Sequence, residues 1–521
     1  MRENTTWFDR VVTALLPLAF IGSSFLNVLA FVLDGHHHEW FRTMFVIGIQ
    51  GVAALFFLAK TLYILRKSPT FRKWSLFTLL IPLFFGAVYL WALIAVADKA
   101  AILRSAFING CYLVSACCAV LIIVLERKLP AFLGVCRVYA VILSPAILYY
   151  CIRFYLPTAE YGVANLGVLS SMPLAYGLLE FCLFLLLDFL LYRRDARKRE
   201  LLLIFSLYTL FSVAITLSGS KGPMLCLLFS SLLGLLFPVA GKLSLKKAWL
   251  FPTLSLACIL LFSTVLYPNY GVENRVVSFF KELSGENAVE ITTDDIQETS
   301  LILDQAAPKP SETPEQPGTP EQPGTPEQPG TPEQPETPSF QMSDVVEFVG
   351  SGQAAEALSA GQITQEQYDS LVSMSRKLNN TSSGGRIYLW TCAIQEIKSS
   401  PLTGHGPFSY QAQYGTYPHN FFLELAADFG LPVTLLILAL GVYVIIKLIQ
   451  MSFKNAYIAA FTLYVLAFLP QRMLSGSLYE YSVFFQYGFC ILIVFLLGRR
   501  KRKGTMVENR QTEMAPHETS V

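Results

Sequence analysis

Twelve separate stretches of this 521-residue chain read as candidate membrane-crossing helices, and no other feature restricts its fold as severely. A crossing helix needs about 20 mostly apolar residues, because each backbone polar group in lipid must find its partner within the protein. The segments lie near 11–33, 42–65, 74–96, 103–125, 132–156, 166–192, 200–218, 222–240, 248–267, 430–448, 455–469 and 479–497, the eleventh being the shortest. The expected fold is therefore an all-α polytopic membrane protein, with about 12 transmembrane helices and one large outer loop between the ninth and the tenth. The first apolar block is long, lacks an Ala-x-Ala-like exit and leads into further spans, so it reads as a span rather than a signal peptide.

Lysine and arginine orient such a chain, since short cytoplasmic loops carry the excess. One set of alternate connections, including Arg66, Arg127, Arg193, Arg199, Lys246 and the run from Arg499 to Lys503, holds 20 of them, and the other set of short loops holds 5. Both termini are accordingly expected in the cytoplasm, and the long connection 268–418 on the opposite face. That connection carries 20 acidic against 7 basic side chains, so the near-neutral total of +2 conceals an acidic outer loop and a basic remainder. The scattered basic residues match orientation signals and exclude a nucleic-acid partner.

Four parts follow: 1–267 with nine spans, the outer loop 268–418, 419–498 with three more, and a basic tail at 499–521. Within the loop, 313–338 repeats TPEQPG without one large apolar side chain. It cannot build a core, and its prolines favour an extended, solvated tether. The flanks 284–312 and 339–383 hold only short helical patterns, among them 343–349 and 364–377. Nine of the ten cysteines fall in apolar spans, leaving Cys392 alone in the loop without a partner for an intraloop disulfide.

Order is expected to return at 384–418. Ile387, Trp390, Ile394 and Ile397 recur at helical spacing, Ser399-Ser400-Pro401 ends that helix, and Gly404-His405-Gly406-Pro407 forces a compact turn. Pro418-His419-Asn420 then opens a short helix that Gly430 terminates.

These motifs resemble the O-antigen ligase and polymerase superfamily, bacterial envelope glycosyltransferases acting on undecaprenyl-diphosphate-linked glycans at the outer face of the cytoplasmic membrane. The ligase motif is His, then Asn, Ser or Gln, nine residues, Gly, two residues, and Gly, Thr or Tyr. The chain offers His419-Asn420, nine residues, then Gly430-Leu431-Pro432-Val433, departing only at Val433. Arg386 to Trp390 and Pro401-Leu-Thr-Gly-His-Gly406 are similar to the family's arginine-to-tryptophan helix and Pro-Leu-x-Gly-x-Gly turn. The resemblance implies a glycan donor on undecaprenyl diphosphate, with lipid A-core as acceptor for a ligase. For a polymerase the acceptor is another lipid-linked repeat, and for a protein oligosaccharyltransferase it is an exported protein.

The residue chemistry agrees. An acceptor hydroxyl must lose a proton as it attacks the anomeric carbon, while charge grows on the departing diphosphate. His419, at a helix start, suits the base. Arg386 suits the bidentate binding of phosphate oxygens. Lys221 and Arg472 sit by topology at the outer rim as further cations, with Arg275 and Asn420 as additional substrate-binding candidates. Simpler readings exist: His419 as a helix cap, Arg386 paired with Glu396 or with headgroups, and Arg472 and Arg275 as headgroup anchors. Where Lys221 stands the family usually has arginine; lysine keeps the charge and loses the fork.

His36-His37-His38-Glu39 reads as a polar connection rather than a metal site, and Asp294-Asp295 lacks a spaced partner, so neither a metal nor a cofactor is expected. Asp188, near a cytoplasmic span end, is expected to pair with Arg193 or Arg194. Tyr388, Trp390 and Tyr417 read as interfacial aromatics. A transporter or flippase is the alternative from another class, but its polar groups belong at the bilayer midplane, whereas those here gather at the outer surface.

Overall fold

A computed structural model describes residues 6–34, 39–67, 69–96, 99–155, 171–193, 197–218, 220–236, 248–261, 302, 353–359, 361–371, 384–414, 416–453, 455–474 and 476–494. His36, His37, His38, Arg275, Asp294, Asp295, the repeat at 313–338 and the tail at 499–521 lie outside them. The described residues fall in two units, Met1–Val277 with Trp390–Val521, and Ser278–Leu389.

Among the described residues the first unit is built of helices and the turns between them. Seven helices are long and apolar enough to cross a membrane: Met44–Lys67, Thr78–Ala95, Lys99–Leu125, Leu129–Ile152, Pro173–Tyr192, Lys198–Leu217 and Phe421–Ser452. An eighth arises if Trp7–Leu15 and Leu18–Ala30, bent by 69°, count as one span. The other expected spans coincide with shorter helices, Gly222–Leu235, Leu250–Leu261, Ala456–Ala467 and Tyr481–Val494. The chain is thus a multi-pass membrane protein, with its long helices where apolar runs predict them.

Packing partners, rather than apolar composition, decide which helices lie inside the bundle. Ser171–Asp188 is apolar on every side, and from Leu174 to Asp188 almost every side chain is buried against Leu18–Asp34, Leu129–Tyr155, Lys198–Leu217 and Lys221–Leu236. Pro69–Ala95 is equally apolar, yet Leu79, Leu83, Leu90 and Ile94 are exposed, as bilayer-facing side chains must be. Small hydroxyls tie neighbouring helices. Tyr208 meets Ser255 at 2.8 Å, and Ser452 donates to Thr462 at 3.0 Å.

Two buried charges on the described helices form ion pairs. Lys60, almost fully buried, reaches Asp9 at 2.5 Å and Glu126 at 2.6 Å, tying the bent first helix to Glu39–Lys67 and to the end of Lys99–Leu125. The Asp188 carboxylate meets Arg137 of the helix Leu129–Tyr155 at 2.9 Å, while the side chains of its expected partners, Arg193 and Arg194, lie outside the described residues. At this point the α-helix gives way to a π-helical turn, Phe189–Arg193, whose wider winding changes the faces presented by the residues that follow.

In the second unit, Gln353–Ser359 is helical, and so are residues 365–371. Thr364 and Gln367 cap the latter reciprocally: the Gln367 amide donates to Thr364 Oγ1 at 3.2 Å, and the Thr364 amide to Gln367 Oε1 at 2.8 Å.

Candidate functional site

The helix Gly384–Ser399 ends where expected, and the chain then folds back through two left-handed glycines, Gly404 (φ 65°) and Gly406 (φ 98°). This turn docks on the break in Phe421–Ser452 at Gly430, whose φ of 80° and ψ of 166° interrupt the helix. A helix break frees carbonyls. Those of Ala427 and Asp428 are taken up by the His405 amide at 3.1 Å and the Gly406 amide at 2.8 Å, while the Leu431 amide donates to the Pro401 carbonyl at 2.8 Å. The fit is mutual. A Cβ on Gly404 would strike the Asp428 carbonyl, and a Cβ on Gly430 would strike that of Leu402. Gly430 therefore stops the short helix as expected, but the next helix runs on directly from it.

At the other end of that helix, Asn420 is the N-cap. Its Oδ1 accepts from the Phe422 amide at 3.0 Å and the Leu423 amide at 3.2 Å. The cap is thus Asn420 rather than His419, which precedes it with a left-handed φ of 53°. Half-buried His419 faces the Tyr417 ring at a centroid distance of 4.3 Å. Trp390 donates its indole N–H to the Pro418 carbonyl at 2.9 Å, so it secures the His419 turn. Glu396, the alternative partner considered for Arg386, accepts from Tyr414 at 2.8 Å and Gln413 at 3.0 Å and meets His405 Nε2 at 3.1 Å.

Arg472 is placed on the short helix Leu469–Leu474, only 2% exposed. Its Nη1 meets Glu480 at 2.5 Å and its Nη2 donates to Ser482 at 2.5 Å. The helix Leu469–Leu474 packs both on Phe421–Ser452 and on Lys221–Leu236, which begins at Lys221. The elements bearing His419, Arg472 and Lys221 are therefore neighbours. The side chains of Lys221 and Arg386 lie outside the described residues, and Arg386 belongs to the second unit.

Sequence reasoning missed two buried carboxylates, Glu424 and Asp428, one helical turn apart. Asp428 accepts from the Phe408 amide at 3.0 Å, the Tyr410 amide at 3.2 Å, Ser409 Oγ at 2.8 Å and the Tyr479 hydroxyl. Glu424 accepts from Gln411 at 2.7 Å, Ser477 Oγ at 3.1 Å and the Leu478 amide at 2.5 Å. The buried Tyr479 hydroxyl donates to Asp428 and accepts from the Phe408 amide at 2.8 Å. The signal was present in FFLELAADF: two acids at i and i+4 in an otherwise apolar helix.

Residues 204–438 match the family model described as O-Antigen ligase. The match takes in the Lys221 helix, the long connection 268–418, His419 and Gly430, and it stops before Arg472. It supports the O-antigen ligase superfamily, and with it a membrane glycan-processing protein of the ligase and polymerase kind. No curated protein and no solved structure matches the chain.

Proposed function

We propose that this chain, in keeping with its match to the O-antigen ligase superfamily, transfers a glycan from undecaprenyl diphosphate to a hydroxyl of lipid A-core at the periplasmic face of a bacterial inner membrane. The observation that carries the reading is the placement of His419. The imidazole stands beside Tyr417 on a turn secured by Trp390 and capped by Asn420, at the start of a helix that packs on the element bearing Arg472.

In the reaction, His419 takes the acceptor hydroxyl proton as the oxygen attacks the anomeric carbon. The bond from that carbon to the diphosphate oxygen breaks, and undecaprenyl diphosphate leaves with the electron pair. Arg386, Lys221 and Arg472 balance its charge, and Arg275 and Asn420 complete the substrate contacts. The step is written without a metal or a cofactor. A positioned general base contributes about 10²- to 10⁴-fold.

The test is transfer by the purified full-length chain in detergent, given lipid-linked glycan extracted from cells lacking the protein and lipid A-core from the same cells. Joined product is expected, with His419→Ala slower by at least about 100-fold. Lengthening of the lipid-linked glycan itself would make the chain a polymerase, and glycan on exported protein would make it an oligosaccharyltransferase. Activity seen only as movement across sealed vesicles would replace the enzyme with a transporter.

A further inference from the structure

Glu424 and Asp428 take no part in the chemistry just described, yet both are completely buried. Such groups persist only when their hydrogen bonds are satisfied. Their donors come from two segments of chain, 408–411 and 477–479, and each carboxylate is bonded to both. Asp428 holds Phe408, Ser409 and Tyr410 from the first and Tyr479 from the second. Glu424 holds Gln411 from the first, and Ser477 and Leu478 from the second. The Phe408 amide also donates to the Tyr479 hydroxyl at 2.8 Å, and the two rings stack at 3.6 Å, so the segments are joined to each other as well.

The second segment runs straight into the group that holds Arg472. Tyr479 bonds Asp428, and the next residue, Glu480, pairs with the guanidinium. A single dipeptide therefore connects the helix that starts after His419 to the side chain of Arg472. Gly476 lets the connecting turn lie against Arg472, since a Cβ there would come within 2.9 Å of the Arg472 Cα.

We propose that Glu424 and Asp428 are positioning residues for the transfer: paired carboxylates that hold 408–411 and 477–479 on one helix and so set the His419 imidazole and the Arg472 guanidinium at a fixed separation. The proposal rests on the reading of His419 as base and Arg472 as a ligand of the diphosphate. Neither carboxylate touches the substrates in this scheme. Their effect is on geometry, where an error of about 1 Å costs on the order of 100-fold in rate.

The test compares Tyr479→Phe, Asp428→Asn and Glu424→Gln with the unaltered full-length chain in the detergent transfer assay, alongside amide hydrogen exchange over 408–411 and 477–479. Expected are a kcat lowered by about 10- to 100-fold, a KM for the lipid-linked glycan within about threefold, and faster exchange confined to the two segments. Tyr479→Phe keeps the ring stacked on Phe408 and decides the matter if the carboxylate variants fail to fold. An unchanged kcat in folded Tyr479→Phe, with His419→Ala inactive, overturns the proposal. So does a loss of activity that only follows the folded fraction. Full activity of His419→Ala instead overturns the reading on which the proposal rests.

Discussion

Gly404 lies against the backbone of Asp428 and Phe429, and Gly430 against that of Leu402 and Thr403, so the docking of one turn on one helix explains the glycines of two separate motifs. Both have positive φ, and both are met by backbone, which cannot swing aside. Gly406 also has positive φ, but its Cβ position is open. Gly406→Ala is expected to cost about 1–2 kcal/mol for its left-handed backbone alone. Gly404→Ala and Gly430→Ala should each cost more, because the turn must also separate from the helix. Thermal unfolding in detergent, with Gly406→Ala as the reference, checks the order. Spacing marked all three as turn or stop residues. It did not show that two of them interlock, because nothing within either motif refers to the other.

Helices are where local pattern succeeds best, because apolar length and capping chemistry act within a few residues. The ends at Ser399 and Gly430 and the start after Asn420 were legible for that reason. The pairing of Asp188 with Arg137 was not, because Arg137 stands 51 residues earlier in the chain. Asp188 is 1% exposed and Arg137 is 19% exposed at the side chain. Removing Arg137 should therefore take a close cation from a buried carboxylate and cost up to about 3 kcal/mol. Arg137→Leu is expected to lower the unfolding midpoint clearly, and Arg137→Leu with Asp188→Leu to recover much of the loss. A double variant as unstable as the single one would show that the pair is not coupled in this way.

For the molecule as a whole, the apolar runs and the long acidic connection 268–418 mark what kind of chain this is, and the match over 204–438 supports its family. The proline-rich repeat at 313–338 has no side chain able to enter a core, and we propose that it is a tether. Its excision from the full-length chain should leave transfer within about twofold of the original, as shortening a tether changes closure entropy little. Loss of transfer from a folded, membrane-inserted excision variant would give the repeat a direct part in the reaction. Among the described residues seven helices, or eight with the bent pair as one, are long and apolar enough to cross a membrane, and Leu250–Leu261 ends at the edge of the described stretch.

Hydropathy, helical periodicity and turn chemistry were sufficient to determine a helical membrane protein, the turn at 404–407, the helix start beside His419 and the break at Gly430, because each is set by residues close together along the chain. Tertiary packing alone decided that Arg472 is buried against Glu480, that Asp188 meets Arg137, and that Glu424 and Asp428 gather donors from segments 13 to 54 residues away. In sequence those acids are simply two carboxylates a helical turn apart. Only when the helix is enclosed, and water can no longer solvate them, do they have to draw segments 408–411 and 477–479 together.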